Sequence, residues 1–288
     1  MNHDPNPLFH PRHIRQLCAM DPGLPVQIHG RLRDLTEGLT RTDQQRYASM
    51  RLLDATGEIA CYYWGALPEP YLELSDYTLV AVRGRLRHYR GAPCLDLQEL
   101  WPADLDDMPF VSVVPHDAAA LRPLVEQLVN YVEAVSDTDL YAFCRRLFAD
   151  LRFTRPFFSL PASHRHHHTE PGGLARHSLE VAYLAGTTSH LRRSEQELAF
   201  VGGLLHDAGK VLTLAGPRTV PFVAHEAVTL EMLAAPLAAL PRRKAQLLRH
   251  VWTCGLRPYH HETRTPVARA VMLADQLSVQ EDLAGGTD

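Results

Sequence analysis

The chain has 288 residues, a length that suits two domains, each able to bury its own core. Hydrophobic residues make up 45% and charged residues 22%, ordinary for a globular protein, and the net charge of −4 gives no global field that draws in nucleic acid. No apolar run approaches the roughly 18–20 residues of a membrane span, and "MNHDPNPLFHPRHIRQL" lacks the apolar centre of a signal peptide; the expectation is a cytoplasmic protein with no membrane partner.

Residues 1–23 read as an N-terminal extension and residues 24–101 as strands. "VQIHGRLRDL" alternates, and "YASMRLLDATGEIACYYWG" reads as two strands about a turn at Ala55-Thr56-Gly57. A short helical segment, "LPEPYLEL", precedes "YTLVAVRGRLRHYR" and "APCLDLQELW". Five strand signals with one helical insert after the third predict a five-stranded Greek-key barrel of the OB type. Gly30 and Gly84 fall inside strand patterns, where a barrel bends or bulges. "RLLDATGEIACYYWG" resembles the second and third strands of OB-folds that bind nucleic acid. Such barrels hold single strands by base stacking and a basic groove. The candidates here are Tyr62, Tyr63, Trp64, His88 and Tyr89, with Arg31, Arg33, Arg51, Arg85, Arg87 and Arg90. The competing reading is that the aromatics fill the barrel and the arginines form a solvated face.

"PADLDDMPFVSVVP", residues 102–115, is acidic and proline-bounded and reads as an interdomain linker. From 116 to 288 the periodicity is helical, first in "DAAALRPLVEQLVNYVEAV" and "DTDLYAFCRRLFADL". "LPASHRHHHTEPGGLARHSLEVA" then places five histidines (His164, His166, His167, His168, His177) within fourteen residues around a Pro-Gly-Gly turn. A solvated cluster and a metal site are both open from this segment alone. The scattered Cys18, Cys61, Cys94, Cys144 and Cys254 form no C-x-x-C pair, against a disulfide framework or a zinc ribbon.

Downstream, "ELAFVGGLLHDAGKV" predicts a helix with Leu198, Val201 and Leu205 on its apolar face, ending at His206-Asp207. Four more polar residues sit on apolar stripes: His177 four before Val181, His225 three before Val228, His250 three after Leu247, and Asp275 four after Val271. One such residue is ordinary core chemistry. Four of them, with an adjacent His-Asp pair, point to a cation, because a buried carboxylate needs a partner. Lys210 is one of only two lysines, beside Lys244. It could meet a phosphate oxygen, or it could be a lysine favoured by a helix C-terminus. Gly172-Gly173 could let a phosphate approach a helix start, or simply make a tight turn.

The order His177, His206-Asp207, Asp275, with "LLHDAGK", resembles the HD phosphohydrolases, and His225 and His250 match the extra histidines of members holding two metals. The resemblance covers about residues 150–280 and implies an all-α HD domain following the barrel. Two subfamilies look similar: bacterial 3′-to-5′ exoribonucleases that join an OB-fold to an HD domain, and HD-type relaxase domains of conjugative elements. The exoribonucleases continue after the equivalent of His250 into Ser-His-His-Gly, whereas this chain has "TCGLRPYHH", with Cys254 at the departure and His260 or His261 beyond it.

The resemblance implies a metal-dependent nuclease on single-stranded RNA or DNA, with a 3′-to-5′ exonuclease as the first expectation. A relaxase-like DNA-processing protein, a nucleotide phosphohydrolase and a non-catalytic single-strand-binding protein are the alternatives. Asp207 would bridge two divalent cations, with His177, His206 and Asp275 completing one site and His225 and His250 the other. Mixed donors suit Mn²⁺ first, then Fe²⁺ or Zn²⁺, better than Mg²⁺. Lys210, His167 and His168 join Asp207 as expected substrate-side or supporting residues. A homo-oligomer stays open.

Overall fold

Alternating side chains make a half-buried strand only if a second surface covers the apolar set, and in a small β-domain closure supplies it. The computed structural model describes residues 7–163, 168–214, 225–253 and 265–285, and divides at residues 117 and 118 into two units.

The first unit runs α1 (Ile14–Cys18), β1 (Pro25–Leu39), β2 (Arg46–Asp54), β3 (Gly57–Trp64), α2 (Glu69–Leu72), β4 (Leu79–Tyr89), β5 (Ala92–Pro102) and α3 (Phe110–Val113). The strands close in the order β1-β2-β3-β5-β4, with β3 parallel to β5 and every other pair antiparallel. This is the five-stranded OB-type barrel expected from the sequence, with α2 in place of "LPEPYLEL". The first half of β1 pairs with β4 and the second half with β2, so one long strand serves two neighbours. Val26, Ile28, Leu32, Leu52, Val82 and Leu86 point inward and are buried. The turn between β2 and β3 is organised by buried Asp54, whose carboxylate accepts the backbone N–H of Thr56 (2.7 Å), Gly57 (3.1 Å) and Ile14 (2.6 Å).

Residues 102–115 are not the free linker read from their acidic, proline-bounded composition. The apolar run "MPFVSVVP" packs on the barrel, with Phe110, Val113 and Val114 fully buried. The N–H of Ala55 donates to the Val111 carbonyl at 3.0 Å. Burying those side chains outweighs the solvation of the four residues "DLDD" before them.

The second unit contains α4 (Arg122–Glu133), α5 (Thr138–Ala149), α6 (Leu151–Ser159), α7 (Gly173–Gly186), α8 (Arg193–Leu204), α9 (Lys210–Thr213), α10 (His225–Met232), α11 (Ala234–Ala238), α12 (Arg242–Thr253) and α13 (Pro266–Gly285). Asp137 and Asp150 accept backbone N–H groups at the starts of α5 and α6, satisfying donors the helices cannot. Buried Glu197 of α8 accepts from Ser136 Oγ and the N–H of Asp137 (2.9 Å), pinning the α4–α5 connection. Helix α13 packs on both α7 and α8. Among the described residues no helix is long and apolar enough to cross a membrane.

Gly84 sits at a register shift between β4 and β5, and a Cβ there would lie 2.3 Å from the Asp96 carbonyl oxygen. Gly84→Val is therefore expected to destabilise the barrel by about 1–3 kcal/mol. Urea unfolding followed by tryptophan fluorescence, to which the barrel contributes Trp64 and Trp101, measures it; an unchanged midpoint would contradict the close approach.

Candidate functional site

Helix α7 carries His177, the turn after α8 carries His206 and Asp207, and α13 carries Asp275. The three elements pack together, so residues far apart in sequence meet. His177 Nε2 lies 3.2 Å from His206 Nε2 and 3.2 Å from Asp275 Oδ1. His206 Nε2 lies 3.5 Å from Asp275 Oδ1. Asp207 Oδ2 lies 3.6 Å from His177 Nε2 and 3.4 Å from His206 Nε2. Ligands that each hold a cation at about 2.1 Å are separated by about 3.0–3.4 Å at octahedral or tetrahedral angles, so this spacing is close to that of a first coordination sphere. His177, His206 and Asp275 form the tightest group; Asp207 Oδ2 also meets Lys210 Nζ at 2.5 Å.

The hydrogen bonds behind the two imidazoles decide what faces the pocket. His206 Nδ1 is 2.7 Å from the Gly203 carbonyl, which only accepts, so Nδ1 carries a hydrogen. That carbonyl belongs to the last turn of α8, where it also accepts the His206 backbone N–H at 3.4 Å. His177 Nδ1 is 3.0 Å from Ser278 Oγ, and Ser278 donates its own hydroxyl hydrogen to Glu180 Oε2 at 2.8 Å. His177 Nδ1 must therefore be the donor as well. In their neutral forms, both rings turn a bare Nε2 lone pair toward the other. Two lone pairs 3.2 Å apart beside two carboxylates call for a positive charge between them. A divalent cation fits that demand, and a proton is the lesser substitute.

The titration behaviour agrees. Burial opposes charge on His206, but Asp207 and Asp275 outweigh it and push the ring up to about 10. Burial dominates for His177 and lowers it. Burial also opposes ionisation of Asp275, yet the adjoining His177 and His206 rings hold its carboxyl well below the usual carboxylate range.

The Pro-Gly-Gly turn has a structural explanation. Gly172 adopts φ +84° at the start of α7. A Cβ on Gly173 would meet the His168 carbonyl oxygen at 2.0 Å, so glycine alone lets residue 168 lie against the helix. His168 is 4% exposed, in the left-handed region at φ +45°, with Nε2 3.2 Å from Glu180 Oε2. It supports the pocket from behind and does not face an open entrance. His164, His166 and His167 lie outside the described residues, as do Cys254, His260 and His261.

Lys210 opens the one-turn helix α9, whose only turn is both its first and its last. The chain turns between α8 and α9, where Gly209 N–H donates to Thr229 Oγ1 of α10 at 2.8 Å. His225 stands one turn before Thr229, with its side chain outside the described residues. His250 is in the last turn of α12 and its Nε2 accepts from the Thr265 N–H at 3.4 Å. It is not part of the group formed by His177, His206 and Asp275. Glu180 and Ser278 were passed over in the sequence. Each stands three residues after a pocket residue, His177 or Asp275, and so shares its face.

On the barrel, the aromatics and the arginines part company. Trp64 is 43% exposed, its ring 6.2 Å from Tyr62 at 22° between planes and 6.0 Å from Tyr47. Its indole N–H donates to Asp96 Oδ1 at 3.1 Å, and Asp96 also pairs with Arg87 at 2.9 Å. Tyr89 is 51% exposed, with the Arg90 guanidinium 5.3 Å from its ring centre. Tyr47 joins this platform through strand pairing with Trp64, a register the sequence pattern did not specify. Arg31, expected to bind nucleic acid, is 4% exposed and donates to the Val113 and Tyr77 carbonyls at 2.6 and 2.9 Å. Its guanidinium fastens the segment after β5 to the barrel. Arg33 is held by Asp34, Glu58 and Asp117, Arg51 by Glu58, and Arg85 donates to the Gly23 carbonyl. The expected basic groove is largely a set of internal ion pairs.

Residues 174–280 match the HD domain family. The chain is 28% identical over 202 residues to the 3′-5′ exoribonuclease YhaM of Geobacillus sp. (strain WCH70), covering 69% of this chain and 61% of that protein. It is 27% identical over 198 residues to the 3′-5′ exoribonuclease YhaM of Bacillus velezensis, covering 66% and 60%. The chain thus matches about three-fifths of the length of these relatives. Among solved structures, a replication protein A heterotrimer bound to ssDNA is 18% identical, with TM-score 0.24, covering 31% of this chain and 63% of that one. The OB domain of Ta0387 from Thermoplasma acidophilum is 16% identical, with TM-score 0.26, covering 34% and 87%.

At pH 7 a cation entering the pocket is expected to displace the proton held by His206, releasing about one proton per cation. Affinity then falls as pH falls. Calorimetric Mn²⁺ titration in buffers of different ionisation enthalpy counts the protons; a count of zero would contradict a proton held at His206 between the carboxylates.

Proposed function

We propose that this chain, whose residues 174–280 match the HD domain family, is a metal-dependent nuclease of single-stranded nucleic acid, trimming RNA from its 3′ end. The observation that carries the reading is the convergence of His177, His206, Asp207 and Asp275 on one small volume within the matched segment. The relatives' printed activity supplies the substrate and the polarity. A bound divalent cation lowers the pKa of water and neutralises phosphoryl oxygens, the two obstacles to phosphodiester hydrolysis. Mn²⁺ is the first choice, and His225 and His250 are proposed to complete a place for a second ion beside Asp207.

The protein's own residues do the rest. His177 and His206 present fixed nitrogens. Asp207, held beside Lys210, offers a carboxylate whose second neighbour is a cationic side chain that can meet a phosphate oxygen. Tyr62, Trp64, Tyr89 and Tyr47 supply stacking faces for bases on the barrel. Arg87 and Arg51, each about half exposed but tied to a carboxylate, add little unless a phosphate displaces that partner. The cysteines among the described residues are free thiols, in keeping with a reducing cytoplasm.

The test uses full-length protein and 5′-labelled single-stranded RNA and DNA, with chelator or with added Mn²⁺. A ladder descending by single nucleotides, present only with the metal, is expected. A single nick, phosphate release from free nucleotides, or binding without cleavage would each overturn the proposed activity. Asp207→Ala is expected to abolish turnover while leaving oligonucleotide affinity nearly unchanged; equal loss of both would count against it. Trp64→Ala is expected to do the reverse, weakening capture by about 1–3 kcal/mol, as fluorescence anisotropy would record.

A further inference from the structure

We propose that Glu180 and Ser278 are positioning residues that select the cation-binding tautomer of His177, with His168 steadying Glu180 from the other side. The inference rests on the reading of the His177 pocket as a cation centre, and not on any choice of substrate.

The geometry leaves little freedom. Ser278 is 1% exposed and has one hydroxyl hydrogen. Glu180 Oε2, 2.8 Å away, accepts that hydrogen. The Ser278 oxygen is then left with lone pairs only, and His177 Nδ1 at 3.0 Å must donate to it. The imidazole hydrogen is held at the back of the ring, and Nε2 is bare toward His206 and Asp275. Reversing the serine would put a hydrogen on Nε2 and close the site to a metal. Glu180 is what prevents the reversal.

Both residues sit where their helices require. Glu180 is three after His177 on α7, and Ser278 is three after Asp275 on α13. Each helix therefore offers a ligand and a supporting residue on one face, and the pairs interlock where α7 meets α13. His168 Nε2 stands 3.2 Å from the same Glu180 oxygen that Ser278 uses, and its ring centre is 5.6 Å from that of His177. Its backbone is fixed by the Ala162 N–H donating to its carbonyl at 2.9 Å and by the close contact with Gly173. His168 thus stands on the carboxylate that sets the tautomer of His177.

The experiment compares wild type, Ser278→Ala, Ser278→Thr and Glu180→Ala as full-length proteins. Two readouts are used: Co²⁺ affinity by absorption titration, and the His177 tautomer in cation-free protein by long-range ¹H–¹⁵N correlation, assigned with His177→Gln. Wild type is expected to show hydrogen on Nδ1. Ser278→Ala and Glu180→Ala are expected to move it toward Nε2 and to weaken Co²⁺ binding by about ten- to hundredfold, with Ser278→Thr restoring most of the affinity. A merely structural role would lower thermal stability and leave tautomer and Co²⁺ affinity as in wild type, and that result would overturn the proposal. If Ser278→Ala does not fold, Glu180→Ala and Ser278→Thr decide in the same way. A wild-type protein that binds no Co²⁺ would overturn the cation centre and the proposal together; wild-type affinity in both alanine variants would overturn the proposal alone.

Discussion

Two imidazole nitrogens face each other across 3.2 Å in a buried pocket, each with its hydrogen committed to the far side of the ring. Nothing neutral sits comfortably between them. Neutral rings would present lone pair to lone pair, and the carboxylates of Asp207 and Asp275 add negative charge at the same point. A fold that spends three elements assembling this arrangement needs a cation to justify the desolvation. In the cation-free protein a proton on His206 and the ammonium of Lys210 supply part of the missing charge.

The surrounding structure serves that pocket. The Gly203 carbonyl in the last turn of α8 accepts from His206 Nδ1 and so fixes which ring nitrogen carries the hydrogen. Helix α13 carries both Asp275 and Ser278, one facing the cation and one the back of His177. The Pro-Gly-Gly turn brings residue 168 against α7. The barrel follows a different logic. Most of its mapped arginines are engaged internally, paired with Glu58, Asp96 and Asp117 or hydrogen-bonded to backbone carbonyls, while Tyr47, Tyr62 and Trp64 form a partly exposed aromatic platform. In the proposed capture of single strands, stacking, which tolerates any base, is therefore the stronger term, in line with a chain whose net charge is −4.

How much could be read in advance follows the range of the physics. Period-two alternation and the Ala55-Thr56-Gly57 turn are local, and the strands lie where those patterns put them. His177, His206-Asp207 and Asp275 were legible because polar residues on apolar stripes are costly and so informative. Partners across space were not. Arg31 and Arg33 look like any strand arginines until β1 is seen beside Val113, Glu58 and Asp117. Residues 102–115 looked like a linker because composition does not say which surface Phe110, Val113 and Val114 will find. Glu180 and Ser278 carry only a three-residue spacing from a ligand, a signal that gains meaning once α7 and α13 are known to touch. That α9 starts immediately after Gly209, with Lys210 beside Asp207, is a tertiary detail that the local pattern does not carry.

The most direct test of the cation centre is a crystal structure of the full chain grown with Mn²⁺, with diffraction recorded on both sides of the manganese absorption edge. The account predicts an anomalous peak about 2.0–2.3 Å from His177 Nε2, His206 Nε2 and a carboxylate oxygen of Asp275, with Asp207 drawn toward it. A well-ordered pocket with no anomalous density, or a manganese ion bound elsewhere with the two imidazoles still 3.2 Å apart, would contradict it.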